Sequence, residues 1–122
     1  EIESVSRPCT IAAVSLENNK NLRSSGRILL IFATMFAAEN SVWSTENFNA
    51  EIDVGRLQLL CRSGKFSVKL ATEQKTAPKV YVLNLNGTRE KEIPVSLKDG
   101  KLDITVDTSS FEYGSPYFEI VY

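Results

Sequence analysis

The sequence predicts an all-β fold, an antiparallel β-sandwich of about eight or nine strands with a C-terminal meander. Three observations carry this reading. Apolar residues alternate with polar ones at Phe66, Val68 and Leu70, at Ile93, Val95 and Leu97, and at Leu102, Ile104 and Val106. A period of two marks a strand with one face buried and the other wet. Asn86-Gly87 and Asp99-Gly100 accept the positive φ that tight type I′ turns require, so each marks a hairpin. Turn signals recur about every 8–12 residues, the spacing of a sandwich.

Taken in order, residues 8–17 read as a strand with Ala12, Val14 and Leu16 on one face and Ile11 and Ala13 on the other. Residues 18–26 are polar and turn-rich, and Ser24-Ser25-Gly26 reads as a loop rather than a domain linker. Residues 27–36 are apolar on both faces, which predicts a central strand covered on each side. A helix competes for 28–38, but Ile28, Ile31, Phe32 and Thr34 favour strand and no capping signal precedes them. Residues 46–53 form a polar loop with Phe48 as its anchor. Ser63-Gly64 is expected to turn a hairpin between 55–61 and 65–71. Strands 79–85, 88–97 and 101–107 follow as the meander, and Pro94, which lacks a ladder donor, puts the middle one at an edge or a bulge. The last strand, 117–122, alternates Phe118, Ile120 and Tyr122 against Tyr117, Glu119 and Val121. Nothing recurs at the period of a solenoid or propeller.

The whole of 1–122 reads as one domain, long enough to bury a core without crosslinks. Lys and Arg number 14 and Asp and Glu 15, giving a net charge of −1, so no cationic field exists to attract nucleic acid or anionic lipid. The longest apolar run, 28–38, falls short of the ~20 residues that a membrane helix needs, so no membrane insertion is expected. Glu1 opens a polar stretch with no signal-peptide pattern and no initiator Met, which reads as a piece excised from a longer protein.

The chain holds no histidine, and its two cysteines, Cys9 and Cys61, are far from any CxxC spacing. A Cys/His zinc site therefore lacks its ligands, and no Ser-His-Asp or Cys-His arrangement is available. The cysteines fit either one disulfide or two buried thiols acting as small apolar residues. No GxSxG elbow and no phosphate-binding glycine loop is present. A glycosidase needs two carboxylates across a cleft. Asp103 and Asp107 lie on an outward strand face and Asp99 in a turn, positions that serve solubility. Residues 39–53 gather several carboxylates but lack the dense Asp/Asn spacing of a calcium loop. No cofactor and no metal are expected, and no catalytic residue can be named. Asn86-Gly87-Thr88 matches a glycosylation acceptor, although the hairpin turn accounts for Asn86-Gly87 by itself.

Aromatic residues remain. Sugars present flat C–H faces on which an exposed ring stacks while neighbouring Asn or Glu groups bond the hydroxyls. Trp43, Phe48, Tyr81, Tyr113 and Tyr117 are the available rings. Trp43 is the best of them, because it sits in the polar run Glu39-Asn40-Ser41-Val42-Trp43-Ser44. Glu39, Asn40, Trp43 and Phe48 are thus the candidate carbohydrate-binding residues. A lone Trp in a sandwich more often fills core or a domain interface.

Several segments in series carry a family likeness: Ala12-Ala13-Val14-Ser15-Leu16, then Ser25-Gly26-Arg27-Ile28-Leu29-Leu30, then Ala38-Glu39-Asn40-Ser41-Val42-Trp43, then Lys79-Val80-Tyr81-Val82-Leu83-Asn84-Leu85-Asn86-Gly87 with Ile93-Pro94-Val95, and finally Tyr117-Phe118-Glu119-Ile120. From Cys9 to Tyr122 the chain resembles the C-terminal β-sandwich accessory domain of bacterial glycoside hydrolases and related carbohydrate-active proteins. Where Thr-Gly-Met is common in that family before the Trp, this chain reads Asn40-Ser41-Val42. The resemblance implies a non-catalytic module that packs on an upstream catalytic barrel of the same polypeptide and stabilises it. It also implies an extracellular or periplasmic location and leaves polysaccharide as a second partner. The alternative reading is a carbohydrate-binding module using Trp43 and its polar neighbours. An apolar docking face argues for the first, and a flat or concave aromatic strip with convergent hydrogen-bonding groups for the second.

Overall fold

The computed structural model describes residues 1–45, 49–111 and 115–122, with the side chains of 57–59 outside the description. The fold is all-β and antiparallel throughout, as the alternation predicts. Thirteen strands are assigned among the described residues, more than the sequence suggests, because several expected strands divide.

One sheet has four strands in the order β1 (Ile2–Val5), β8 (Lys65–Ala71), β12 (Lys101–Asp107) and β11 (Ser96–Lys98). The other has five, in the order β10 (Arg89–Ile93), β9 (Lys79–Leu83), β13 (Tyr117–Val121), β3 (Arg27–Ala33) and β2 (Thr10–Ser15). Alternation sends Phe66, Val68, Leu102, Ile104 and Val106 from the first sheet against Ile28, Leu30, Phe32, Val80, Val82, Phe118 and Ile120 from the second. All are buried. Phe66 crosses between the sheets to meet Phe32 at 4.5 Å and Phe118 at 5.4 Å between ring centroids. These offset and edge-on contacts add to the area the rings bury.

Pro94 divides the expected meander. The strand foreseen at 88–97 becomes β10 in one sheet and β11 in the other, with the chain crossing between sheets at Pro94-Val95. A residue without an N–H cannot hold a ladder through its middle, so the break falls there. The result is two hairpins, β9–β10 and β11–β12, in opposite sheets. Asp99 and Gly100 both take positive φ, 52° and 71°, giving the expected type I′ turn. At the other hairpin only Gly87 does so, at 83°, and its N–H bonds to Asn84 O at 2.8 Å. That is a type I turn over 84–87 closed by a left-handed glycine, rather than a type I′ turn centred on Asn86-Gly87.

Two further expectations are corrected. β3 lies inside its sheet between β13 and β2, as a central strand should, but its second face (Leu29, Ile31 and Ala33) is only half-buried rather than covered. Ser63-Gly64 does not turn a hairpin. β7 (Arg56–Cys61) pairs with β4 (Phe36–Glu39), whereas β8 pairs with β1 and β12. Gly64 is buried where a Cβ would press on the Phe32 ring at 3.1 Å, so close packing explains this glycine. Beyond β4 and β7, β5 (Val42–Trp43) pairs with β6 (Glu51–Asp53). The chain between β3 and β8 therefore leaves the sandwich as a two-stranded arm and returns. Among the described residues no helix is long and apolar enough to cross a membrane.

Candidate functional site

Glu39, Asn40 and Trp43 all lie on this arm, which makes it the candidate site. Phe48 and Tyr113 fall outside the described residues. None of the described residues between 34 and 63 is buried, and none belongs to the hydrophobic core. The arm is held at its root instead. Thr34 Oγ1 donates to the Arg62 carbonyl, and Arg62 N–H donates to Met35 O at 2.9 Å. Thr108, buried in the sandwich, accepts from Gly64 N–H at 2.8 Å and donates back to Gly64 O at 3.1 Å. Both polar groups of the residue that re-enters the core are thus bonded to Thr108 through one hydroxyl.

Midway along, the ribbon kinks. Glu39 pairs with Arg56 and Val42 with Asp53, leaving Asn40-Ser41 opposite Val54-Gly55 between the two paired segments. Asn40 (φ 60°) and Gly55 (φ 70°) both take left-handed backbone there. Asp53 Oδ1 accepts from Gly55 N–H at 3.0 Å, which fixes the turn. A Cβ on Gly55 would collide with the Glu39 carbonyl oxygen and lie 2.6 Å from Ser41 N. Glycine is required at this kink by close approach as well as by φ.

Trp43 is half-buried, and its indole N–H donates to Ser41 Oγ at 3.2 Å. It walls an open groove of about 440 Å³ along the arm, with Met35, Ala37 and Leu60 as apolar lining and Ser41 and Arg62 as polar lining. The described lining does not include Glu39 or Asn40. Ala37 and Ser41 share this lining with Trp43. The other rings lie elsewhere. Tyr81 and Tyr117 are on the outer face of the five-stranded sheet, where the Arg89 guanidinium sits 4.4 Å above the Tyr81 ring. The described aromatics do not form one platform.

The arm's apolar surface was not foreseen. Of ten large apolar side chains exposed among the described residues, five (Phe36, Val42, Ile52, Val54 and Leu60) lie between 34 and 63, a quarter of the chain. The signal was present in the sequence, since Ile52 and Val54 flank a polar residue beside a glycine, but it reads the same for a strand that buries that face.

Four carboxylates are held in structural bonds. Glu119, on the central strand, is only 3% exposed. It takes Arg27 Nε at 2.5 Å on one oxygen and Arg89 Nε at 2.7 Å on the other. Burial pushes its pKa up, but the bonds from Arg89 and Arg27 outweigh this and hold it below the ordinary value. The Lys65 ammonium and the Ser109 hydroxyl and amide hold Asp107 down at about 2 while it caps the 3-10 turn Thr108–Ser110. Lys69 lowers Glu3, and Lys20 with the Gly26 amide lowers Glu17. A general acid needs the opposite shift. Among the described residues no group of three His, Cys, Asp or Glu side chains is placed to hold a metal. Cys9 and Cys61 are free and half-buried, Cys9 against the core and Cys61 beside Thr34 at 3.5 Å. Asn86 is exposed at its hairpin tip, its Oδ1 accepting from Thr88 Oγ1 at 2.7 Å. Comparison with family models, with curated proteins and with solved structures finds no match to this chain.

Proposed function

We propose that this chain is a non-catalytic docking module whose arm packs on another domain of the same polypeptide and stabilises it. The supporting observation is the arm itself: a projecting ribbon, kinked by Asn40 and Gly55, whose described residues add nothing to the core and which exposes Phe36, Val42, Ile52, Val54 and Leu60. Apolar surface concentrated in this way marks a contact site, because its free energy is gained only when a partner covers it. A catalytic neighbour, as the resemblance to glycoside hydrolase accessory domains implies, supplies such a surface. The glycan-binding reading rests on Trp43 in the groove. It has a single described ring there, without the convergent carboxylate and amide that sugar hydroxyls would need.

Amide hydrogen exchange on the isolated chain and on the longer polypeptide that contains it separates the two readings. Docking predicts that the amides of 36–43 and 51–61 exchange more slowly in the longer polypeptide, and that the isolated chain runs unretarded through gels containing soluble polysaccharides. Equal exchange in both contexts, or glycan retardation that Trp43→Ala removes, would reject docking.

A further inference from the structure

The two sheets have four edges, and three are protected against pairing with another strand. β10 carries Arg89, Glu90, Lys91 and Glu92 in succession and a register shift between Arg89 and Lys91. β11 has three residues and follows Pro94. β1 has four residues, includes Glu3 and is bulged between Ile2 and Ser4. Charge, brevity, proline and bulges are the usual means of blunting an edge. β2 itself is neither charged, short nor bulged, and Pro8, two residues before it as Pro94 is before β11, is the one such device near it. Thr10-Ile11-Ala12-Ala13-Val14-Ser15 runs six residues in unbroken register along β3, with no charge and no proline, and no described strand pairs with its other side.

The direction of its free groups follows from one bond. Leu16 N–H donates to Arg27 O at 2.9 Å, so the even-numbered residues exchange hydrogen bonds with β3. In an antiparallel ladder the alternate residues then point outward, so the N–H and C=O groups of Ile11, Ala13 and Ser15 face away from the sheet. Ile11 and Ala13 pack their side chains toward the core, while Val14 is 49% exposed on the outer face.

We infer that this edge is occupied by the same edge of a second copy of the chain, joining two five-stranded sheets across a two-fold axis at Ala13. An isologous contact must complement itself. An uncharged strand does so without repulsion and offers a charged partner nothing to read. Small side chains sit at the centre: Ala13 faces Ala13, Ile11 faces Ser15, and Ala12 meets Val14 on the outer face. The pairing supplies about six main-chain hydrogen bonds. A strand contact about 20 Å long buries less than the roughly 1,200 Å² of a stable interface, so the dimer is reversible and concentration-dependent. This surface is separate from the arm and does not depend on the docking proposal.

Sedimentation of the full chain over a wide concentration range provides the test. The expected result is a mass that doubles with concentration, a midpoint moved about several-fold by Val14→Lys, which sets the lysines of the two copies diagonally across the axis at about 7–8 Å, and no change with Val5→Lys on the β1 edge. A monomer at every concentration overturns the inference and leaves the edge to a strand of another protein. A dimer that withstands Val14→Lys, or that Val5→Lys weakens equally, also overturns it. Should Val14→Lys fail to fold, amide exchange at Ile11, Ala13 and Ser15 in the unaltered chain decides: it must slow with concentration, and constant rates reject the pairing.

Discussion

Replacing Gly55 by alanine separates the arm energetically from the sandwich. At φ 70° an alanine carries a left-handed penalty of about 1–2 kcal/mol. Its Cβ also collides with the Glu39 carbonyl oxygen and sits 2.6 Å from Ser41 N. These are backbone atoms of the opposing strand, so no side-chain rotation relieves the contact, and the paired segments β4–β7 and β5–β6 must shift apart. None of this reaches the core, because no described residue of 34–63 belongs to it. Global stability should therefore change by about 0.5 kcal/mol or less, as for a substitution remote from the core. Local opening of the arm should become easier by at least 1–2 kcal/mol, about 5–30-fold in its equilibrium constant.

Amide exchange on the folded chain reads both quantities together. In Gly55→Ala the amides of 36–43 and 51–61 should speed up by about 5–30-fold or more, while those of Leu30, Val82, Phe118 and Ile120 keep wild-type protection. Phe66→Ala is the counter-case. Losing the ring that bridges Phe32 and Phe118 should cost about 3–5 kcal/mol and lower protection throughout the sandwich. If Gly55→Ala lowers core protection as Phe66→Ala does, the arm is part of the cooperative core and the reasoning fails. Unchanged exchange at every site would equally refute the assignment of Gly55 as an obligatory kink.

Thr108→Val keeps shape and volume but removes the acceptor of the buried Gly64 N–H, which should lower stability by about 1–3 kcal/mol, read from the urea midpoint; Thr108→Ser should recover most of it. Acid should destabilise the fold. Glu3, Glu17, Asp107 and Glu119 all have folded-state values below their unfolded ones, so the stability they confer is complete above the unfolded value and is lost as pH falls through the folded one. For Asp107 that window runs from 3.8 down to about 2, and thermal midpoints measured across it should fall steadily. In Asp107→Asn the slope within the window should be shallower, and an unchanged slope would reject the assignment.

The sandwich was legible in the sequence because alternation is a local signal with a global meaning. Phe66, Val68, Leu102, Ile104, Val106, Phe118 and Ile120 entered the core from the face that period two assigned them. Asp99-Gly100 formed the turn its residues allow. What alternation does not contain is pairing. Residues 27–36 were apolar on both faces, which reads equally as a strand covered twice or as one whose second face stays half-open, and β3 is the latter. Ser63-Gly64 looked like a turn because glycine has two uses, and its other use, making room for Phe32, depends on a residue more than thirty positions away. The ion pairs of Glu119 span 92 positions to Arg27 and 30 to Arg89, and no local pattern announces them. Of the candidate residues, Glu39, Asn40 and Trp43 share the arm. The described lining of the groove that Trp43 walls includes neither Glu39 nor Asn40, and no local pattern in the sequence reports that.

The arm's construction also bears on which ligand suits Trp43. A stacking site for sugar gains about as much as one ring face and a few hydrogen bonds can provide, and it must spend part of that on ordering whatever was not already fixed. Rings that act in this way belong on rigid supports, packed from behind. Trp43 stands on a two-residue strand paired to a three-residue one, beyond a kink and outside the core. A neighbouring domain gains far more, because covering Phe36, Val42, Ile52, Val54 and Leu60 removes several large apolar side chains from water at once, at about 25 cal/mol for each Å² buried. On the docking proposal, a partner broad enough to bury this ribbon covers Phe36, Val42, Ile52, Val54 and Leu60 together, and the groove beside Trp43 lies on the same arm.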